Sequence, residues 1–452
     1  MVAIQKAQCV LKPLSNYEFT DVEGALLLEK VLSSSLRGRG YYGMQLAERW
    51  RTFVEREGKK ELVCLCSGVC AEVLLRENEE AVWAGVSLTA KVFGLEEAWV
   101  ALDQERRIPN SYSGVRLKAF SFIHSPSAGE ETRLFAMMEG DIPLTRPQPP
   151  YPIDSGFFGR PTLIHSAELF AHLPYLLRGM DLETKLVLCS GAVERVGIFE
   201  LSVNTLVSEL LKEAAASNPK AFQIGGCCGL FQPFEQADYI HVYEQSDGRG
   251  RIPGDASVHV IDKETCIVRL LKDKLQTAYP ASCGRCVFCR EGLYQMYLIL
   301  EDLGSGKGRE HDLSLLRDLS SVIAEQAGCD YGRMAGRMVV SVLDAFYEEF
   351  EAHLLKKCPS LDCPGMFTVH IDPTKCTGCG DCLSRCESGA ILGSVGMIHV
   401  VNQECCNQCK TCLPCKENAI LRAGLLKPVG PNYPVPVGSY IPKKKGLQRR
   451  AK

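Results

Sequence analysis

The sequence predicts an α/β multidomain protein, and three observations carry that prediction. Apolar strand-like runs alternate with helical-period segments through residues 1–262, the pattern of layered α/β folds. Residues 263–357 keep helical periodicity almost throughout, around a tight cysteine triplet at Cys283, Cys286 and Cys289. Residues 358–426 hold two further cysteine sets separated by short strand patterns, which suits a small duplicated α+β module.

The totals narrow the function classes. A chain of 452 residues with a net charge of −3 and a pI near 6.3 has no electrostatic case for binding nucleic acid. No apolar run approaches the ~20 residues a membrane helix needs, and residues 1–13 lack a signal-peptide core. Twenty-three cysteines without an export signal argue for metal thiolates in a reducing, cytoplasmic compartment, not for a disulfide framework.

In chain order, residues 1–20 read as an arm lying on the first domain or on a partner. Helical periodicity begins near Asp21 and is followed by the glycine-rich turn Leu36-Arg-Gly38-Arg39-Gly40-Tyr41-Tyr42-Gly43. Such a turn lets backbone N–H groups approach a phosphate, or simply joins a helix to a strand. Leu62–Cys66 and Ala98–Leu102 read as buried strands with a helix between them over Asn78–Phe93. Cys64, Cys66 and Cys70 have no ferredoxin spacing and read as small core residues; as metal ligands they would need a fourth donor such as Cys189 or Cys9. Gly129-Glu130-Glu131-Thr132 opens an amphipathic segment that ends at Gly140, and a Pro-rich loop over 143–152 leads to Gly159-Arg-Pro-Thr162. Strands recur over 185–260 around a helix at Leu206–Ala214, and Cys227-Cys228 sits in a glycine turn as a structural pair.

Cys283-x2-Cys286-x2-Cys289 can fold round one corner of an iron–sulfur cube, with Cys329 as the remote fourth ligand. Zinc is the alternative, but it usually takes two C-x2-C pairs. Helices over Leu293–Leu303 and Leu313–Ile323 put this [4Fe-4S] site at the top of a helical bundle. His353, Cys358 and Cys363, at the end of a helix expected over Val339–Leu355, make three quarters of a tetrahedral zinc site, with Cys266 as the best fourth donor.

A strand over Met366–Ile371 leads into Cys376-x2-Cys379-x2-Cys382-x3-Cys386, and a hairpin over Ile391–Val401 leads into Cys406-x2-Cys409-x2-Cys412-x2-Cys415. Three close cysteines share a cube with a distant fourth from the other half. One [4Fe-4S] cluster then takes Cys376, Cys379, Cys382 and Cys415, and the other takes Cys386, Cys406, Cys409 and Cys412. The second set is one residue short before its last cysteine, and Cys405 is spare beside Cys406. The tail over 427–452 is rich in proline and glycine and ends in a basic run, a composition that is either solvated or docks on an acidic partner.

The run Ser282-Cys-Gly-Arg-Cys-Val-Phe-Cys-Arg-Glu-Gly292 with the late Cys329 resembles the cluster motif of the NADH-oxidising flavoprotein subunit of complex I. The same subunit type occurs as the β-subunit of soluble electron-bifurcating hydrogenases and formate dehydrogenases. Over roughly residues 20–350 further anchors match: Arg37-Gly38-Arg39-Gly40, Gly129–Thr132, Glu139-Gly140, Gly159–Thr162 and Glu168. The duplicated C-terminal cysteines resemble a bacterial 2[4Fe-4S] ferredoxin. The resemblance implies a flavoprotein-like α/β domain (1–180), a β-grasp, SLBB-like domain (181–262), a helical-bundle [4Fe-4S] domain (263–357) and a ferredoxin-like α+β domain (358–426). It also implies that Gly38, Arg39, Gly40, Glu130 and Glu131 would face FMN and NAD(P).

The cofactor motifs themselves are degenerate. Where the family's glycine loop continues with small residues, this chain has Tyr41-Tyr42-Gly43-Met44; its acidic flavin loop aligns with Leu65–Ala71, without a carboxylate. Its paired asparagines align with His165-Ser166, and further contacts align with Pro126, Gln148 and Tyr151. Losing several polar contacts at ~1 kcal/mol each removes most of the affinity for a cofactor. The expectation is an iron–sulfur electron-transfer subunit of a multi-subunit oxidoreductase with three [4Fe-4S] clusters, its flavin and NADH site lost and no catalytic residue of its own. The alternatives are an FMN-containing NAD(P)H dehydrogenase subunit and an Rnf-type or cobalamin-reductase-type subunit. Expected partners are other subunits of the complex, among them a [2Fe-2S] thioredoxin-like subunit and a catalytic dehydrogenase or hydrogenase subunit, with soluble ferredoxin as a further one.

Overall fold

The computed structural model describes residues 3–7, 10–12, 22–38, 45–180, 183–243, 257–424 and 428–441. Cys9, Arg39, Gly40, the Tyr41–Met44 run and the basic end of the tail lie outside them. The chain divides into two compact units: Met1–Lys263 with Leu271–Leu298 and Leu313–Tyr347, and Glu264–Leu270 with Ile299–Asp312 and Glu348–Lys452.

The first unit begins with β1 (Ile4–Lys6), α1 (Val22–Ser33), α2 (Leu46–Glu55), β2 (Glu61–Cys66), α3 (Gly68–Val92) and β3 (Glu97–Leu102). It continues with β4 (Ser111–Tyr112), β5 (Val115–Ser121), α4 (Glu131–Glu139), α5 (Pro152–Ser155), β6 (Thr162–Ser166) and α6 (Ala167–Leu177). A five-stranded sheet forms in the order β4-β5-β3-β2-β6, parallel except for β4. Strands β2 and β6 are buried on both faces, as covered parallel strands must be, which is why they read as unbroken apolar runs. Ser113 and Gly114, both with positive φ, make the tight turn between β4 and β5.

Helix α3 starts ten residues before the helix expected at Asn78, which is instead a kink inside it (φ −152°, ψ 54°). There the Asn78 side-chain amide donates to the Val10 and Lys12 carbonyls at 2.9 and 2.7 Å, which compensates for the broken helical geometry. Helices α3 and α6 cross so closely that a Cβ on Gly85 would lie 1.8 Å from the Phe170 carbonyl oxygen.

Next come β7 (Thr184–Gly191), β8 (Gly197–Ser202), α7 (Val207–Glu213), β9 (Pro219–Ile224), β10 (Leu230–Pro233) and β11 (Val258–Asp262). They build a mixed sheet in the order β1-β8-β7-β11-β9-β10 over its own core of Val187, Phe199, Leu210, Phe222 and Val260. Ile4–Lys6 of the N-terminal arm are thus an edge strand of this sheet, and the buried Glu200 carboxylate accepts from the Val10 amide at 2.7 Å.

Four helices follow: α8 (Ile267–Ala281), α9 (Val287–Gly304), α10 (Asp312–Gln326) and α11 (Asp330–Leu354). α11 begins nine residues earlier than the helix expected at Val339, and its dihedrals break at Phe346 (φ −134°, ψ 27°). A Cβ on Gly336 would meet the Ala324 amide nitrogen at 2.5 Å, so α10 and α11 pack backbone to backbone.

In the second unit β12 (Thr368–Ile371), α12 (Asp381–Arg385), β13 (Ile391–Leu392), β14 (Met397–Ile398), β15 (Val400–Val401), β16 (Ile420–Ala423) and β17 (Val435–Pro436) form three two-stranded antiparallel pieces. β12 pairs with β16 and β13 with β15. Phe367, Val369, Ile391, Val401 and Ile420 fill a small core against which the cysteine side chains pack. None of the described helices is long and apolar enough to cross a membrane.

Candidate metal centres

Cys283 and Cys286 lie in the loop between α8 and α9, Cys289 in the first turn of α9, and Cys329 just before α11. Gly284 turns that loop at φ 81°, and a Cβ there would run into the Arg290 guanidinium, which donates to the Ser282 hydroxyl at 3.1 Å. The segment carrying Cys329 reaches the others through its glycines: Cβ atoms on Gly328 and Gly332 would lie 3.3 Å from the Cys286 sulfur and 3.0 Å from the Cys289 sulfur.

Burial, then repulsion from the neighbouring thiolates, pushes Cys289 up to about 12, and burial pushes Cys329 up to about 11. At Cys283 burial is outweighed by the Thr145 hydroxyl, 3.5 Å from its sulfur, and by backbone amides, so its pKa falls. Crowded thiols of this kind favour a cation that displaces their protons.

The ferredoxin-type cysteines line two cavities. Cys376, Cys379, Cys382 and Cys415 line one; Cys386, Cys406, Cys409 and Cys412 line the other, with Cys412 reaching both. Cys405 is exposed and lines neither. The missing residue before Cys415 is absorbed locally: the Cys415 amide donates to the Leu413 carbonyl at 2.7 Å, a one-residue γ-turn at Pro414. Burial pushes Cys382 up to about 11. At Cys386 burial is outweighed by the Ser388 hydroxyl and by backbone amides, which hold its pKa down. Sequence reasoning missed His399, buried on the first cavity with Nδ1 3.8 Å from the Cys376 sulfur. Its signal was a polar residue inside the Met397–Val401 strand pattern.

Cys266, His353, Cys358 and Cys363 are all buried, and their donor atoms lie within 4.8 Å of one another, the one such group found among the described residues. His353 Nε2 is 3.3 Å from both the Cys266 and the Cys363 sulfur, and those sulfurs are 3.5 Å apart. His353 Nδ1 donates to the Glu349 carbonyl at 2.6 Å, which leaves Nε2 facing the sulfurs as a ligand nitrogen. Burial alone would pull His353 down, but its bonds to Cys266 and Cys358 outweigh that and raise it to about 10. Hydrogen bonds from Cys266 and Cys363 hold Cys358 far below the usual thiol range. Three thiolates with one imidazole match tetrahedral zinc.

Several of the described residues aligned with a flavin site are engaged inside the fold. Glu130 caps α4, accepting from the Arg133 amide at 2.8 Å and the Thr132 hydroxyl at 2.7 Å, and burial pushes it up to about 7. Glu131 pairs with Arg49 at 3.0 Å, and the Gly38 carbonyl accepts from the Tyr243 hydroxyl. The Asp103 carboxylate covers the start of α3, taking the Gly68 amide at 2.7 Å and the Ser67 hydroxyl at 3.1 Å. His165 is buried and accepts from the Trp50 indole at 3.2 Å. Cys64 and Cys66 are buried in β2 with sulfurs 3.7 Å apart, and the Cys70 thiol donates to the Leu186 carbonyl.

Residues 269–353, which hold the first cysteine set, match the NADH-ubiquinone oxidoreductase-F iron-sulfur binding region, and residues 369–392 match a 4Fe-4S binding domain. The chain is 33% identical to the NADP-reducing hydrogenase subunit HndC of Solidesulfovibrio fructosivorans over 60% of its length and 59% of that protein's. It is 28% identical to the NADH-quinone oxidoreductase F subunit 2 of Rhizobium meliloti over 74% of this chain and 90% of that one. The chain is thus similar to NADH-quinone oxidoreductase F subunits. It spans less than two thirds of the hydrogenase relative. Its mixed α/β fold is similar to a chain of an NAD+-reducing [NiFe]-hydrogenase solved in the H2-reduced state, with a TM-score of 0.68 at 22% identity, covering 78% of this chain and 68% of that one. These relatives are, by name, subunits of a hydrogenase and of a quinone oxidoreductase, and two stretches of this chain match iron–sulfur binding models.

Proposed function

We propose that this chain is an electron-transfer subunit that relays electrons through three [4Fe-4S] clusters inside an oxidoreductase complex, with the family's flavin and NADH site lost. The observation that carries it is the grouping of twelve cysteines: Cys283, Cys286, Cys289 and Cys329 around one helix junction, and two quartets on separate cavities. In this reading residues 1–180 are a flavoprotein-like scaffold, 181–262 a β-grasp part, 263–357 the bundle around the first cluster and 358–426 a bacterial-type ferredoxin. Partner subunits, a [2Fe-2S] thioredoxin-like one and a dehydrogenase or hydrogenase one, would supply and consume the electrons.

When bound, the clusters supply reversible one-electron transfer and no bond chemistry. The chain's own residues set the environment. Thr145 and backbone amides at Cys283, and Ser388 and backbone amides at Cys386, direct hydrogen bonds at the sulfurs, and such bonds favour the more negative state. The core of Phe367, Val369, Ile391 and Val401 keeps water from one side of the two C-terminal quartets.

The described residues around β2 and α3 do not fit FMN. Asp103 sets a negative charge on the helix N-terminus, Glu130 and Glu131 are committed to a cap and an ion pair, and the Trp50–His165 pair occupies the core. Cys266, His353, Cys358 and Cys363 fit one structural zinc, which would hold α11 to the segment after it. Anaerobic purification with partner subunits, followed by iron, zinc and flavin analysis, tests the reading. About twelve irons per chain, from four per cube, with one zinc and no flavin in this chain is the expected result. One FMN per chain would overturn it and make this the NAD(P)H-reacting subunit.

A further inference from the structure

The adjacent thiols of Cys227 and Cys228 lie away from the metal centres described above. They occupy the two corner positions of a turn between β9 and β10, closed by the Gly229 amide donating to the Gly226 carbonyl at 3.1 Å. The turn is held from below: the buried Gln223 side-chain amide donates to the Gly229 carbonyl at 3.1 Å and to the Cys227 carbonyl at 3.4 Å. A Cβ on Gly229 would lie 2.2 Å from the Ile224 carbonyl oxygen, so the turn cannot be re-formed with a larger residue there.

The two sulfurs are 3.9 Å apart and differ in access: Cys227 is exposed, and Cys228 is 6% exposed. Lys274, half-buried on α8, senses both of them; burial pulls its pKa down, and the two sulfurs pull it back up. A neighbouring ammonium favours thiolate over thiol. The bond to Cys227, then burial, raises the Cys228 pKa. An exposed thiol, a buried thiol 3.9 Å behind it and a lysine whose charge acts on both are the parts of an attacking and resolving pair.

We propose that Cys227 and Cys228 are a thiol/disulfide switch that exchanges with low-molecular-weight disulfides and closes on itself. The Cys227 thiolate attacks one sulfur of the small disulfide, whose other half leaves as a thiolate. Cys228 then gives its proton to solvent and attacks the Cys227 sulfur, forming the Cys227–Cys228 bond and releasing the second small thiolate. The small disulfide gains two electrons, the pair loses two, and the leaving thiolates take up two protons. Neighbouring Cα atoms sit about 3.8 Å apart, closer than the ~4.4–6.8 Å usual across a disulfide. The closed ring is therefore strained and easily reduced, the labile kind that reports a redox change and does not brace a fold.

The test uses the holoprotein, equilibrated anaerobically with glutathione and glutathione disulfide at a series of ratios, acid-quenched, alkylated and digested with trypsin. Residues 221–249 form one tryptic segment in which Cys227 and Cys228 are the sole cysteines. The expected result is a peptide about two mass units lighter than the dithiol form, protected from alkylation and restored by dithiothreitol. Cys227→Ser and Cys228→Ser should each abolish that species, and Cys228→Ser should instead accumulate glutathione on Cys227. Lys274→Met should slow closure by roughly threefold to tenfold at neutral pH through lost thiolate character. A peptide that is doubly alkylated at every ratio, or one that stops at a Cys227–glutathione adduct in the unmodified chain, would overturn the proposal.

Discussion

His165 is fully enclosed between Trp50 and the Phe170 ring, and burial holds its pKa well below the ordinary histidine value. The unfolded chain takes up a proton near pH 6.5, while the folded chain stays neutral to a much lower pH. The stability tied to this neutral ring is therefore complete above pH 6.5 and is lost as pH falls below it, by up to about 1.4 kcal/mol per pH unit. His165→Asn keeps an acceptor for the Trp50 indole and has no titration. Its denaturant-unfolding free energy should fall less steeply than the unmodified chain's between pH 6.5 and 5; equal slopes would mean that His165 protonates without unfolding the protein. A second residue-scale test separates Cys405 from Cys415. Cys405→Ser should leave the iron content unchanged, whereas Cys415→Ser should remove up to about four irons per chain, one cube's worth. The opposite outcome would assign the fourth ligand to the spare cysteine.

At the scale of elements, the cysteine spacings were readable because a ligand loop is local. Cys283, Cys286 and Cys289 lie within seven residues, and no distant contact is needed to bring them together. The ends of long helices were harder to read. α3 begins at Gly68 because Asp103, just past the end of the next strand, supplies the anion for its first turn, and its interior tolerates the kink at Asn78 because an arm sixty-odd residues earlier takes up the side-chain amide. Neither partner is visible in a local window. The α3–α6 crossing makes a prediction of its own. Gly85→Ala gains about 1 kcal/mol in helix propensity, but its Cβ would overlap the Phe170 carbonyl, so the helices must separate at a cost of about 1–3 kcal/mol or more. Steric overlap at 1.8 Å wins, and thermal unfolding followed by circular dichroism should show a lower midpoint. An unchanged or higher midpoint would mean that the crossing is looser than described.

For the molecule as a whole, the group at Cys266, His353, Cys358 and Cys363 matters most, because its members come from two separate stretches of the second unit. His353→Ala should lower zinc from one per chain to none and leave iron untouched, with a loss of at least ~3 kcal/mol in stability, since structural zinc sites contribute folding energy directly. His353→Cys should retain the metal in an all-thiolate site. Unchanged metal content in His353→Ala would remove the case for zinc.

The amino-acid order alone determined the α/β character, the helical stretch around the first cysteine triplet and the duplicated C-terminal motif, because each depends on spacings of a few residues along one backbone. Cys266 could be named only as the best free thiol; the fold decided that its sulfur stands 3.3 Å from His353 Nε2. The fold also decided that Glu130, Glu131 and Asp103 spend their charges on a helix cap, an ion pair and a helix start, and that Cys227 faces solvent while Cys228 does not. Those outcomes depend on which surfaces meet after packing, and the free energy of burying a charge or a thiol is set by neighbours far away in the chain.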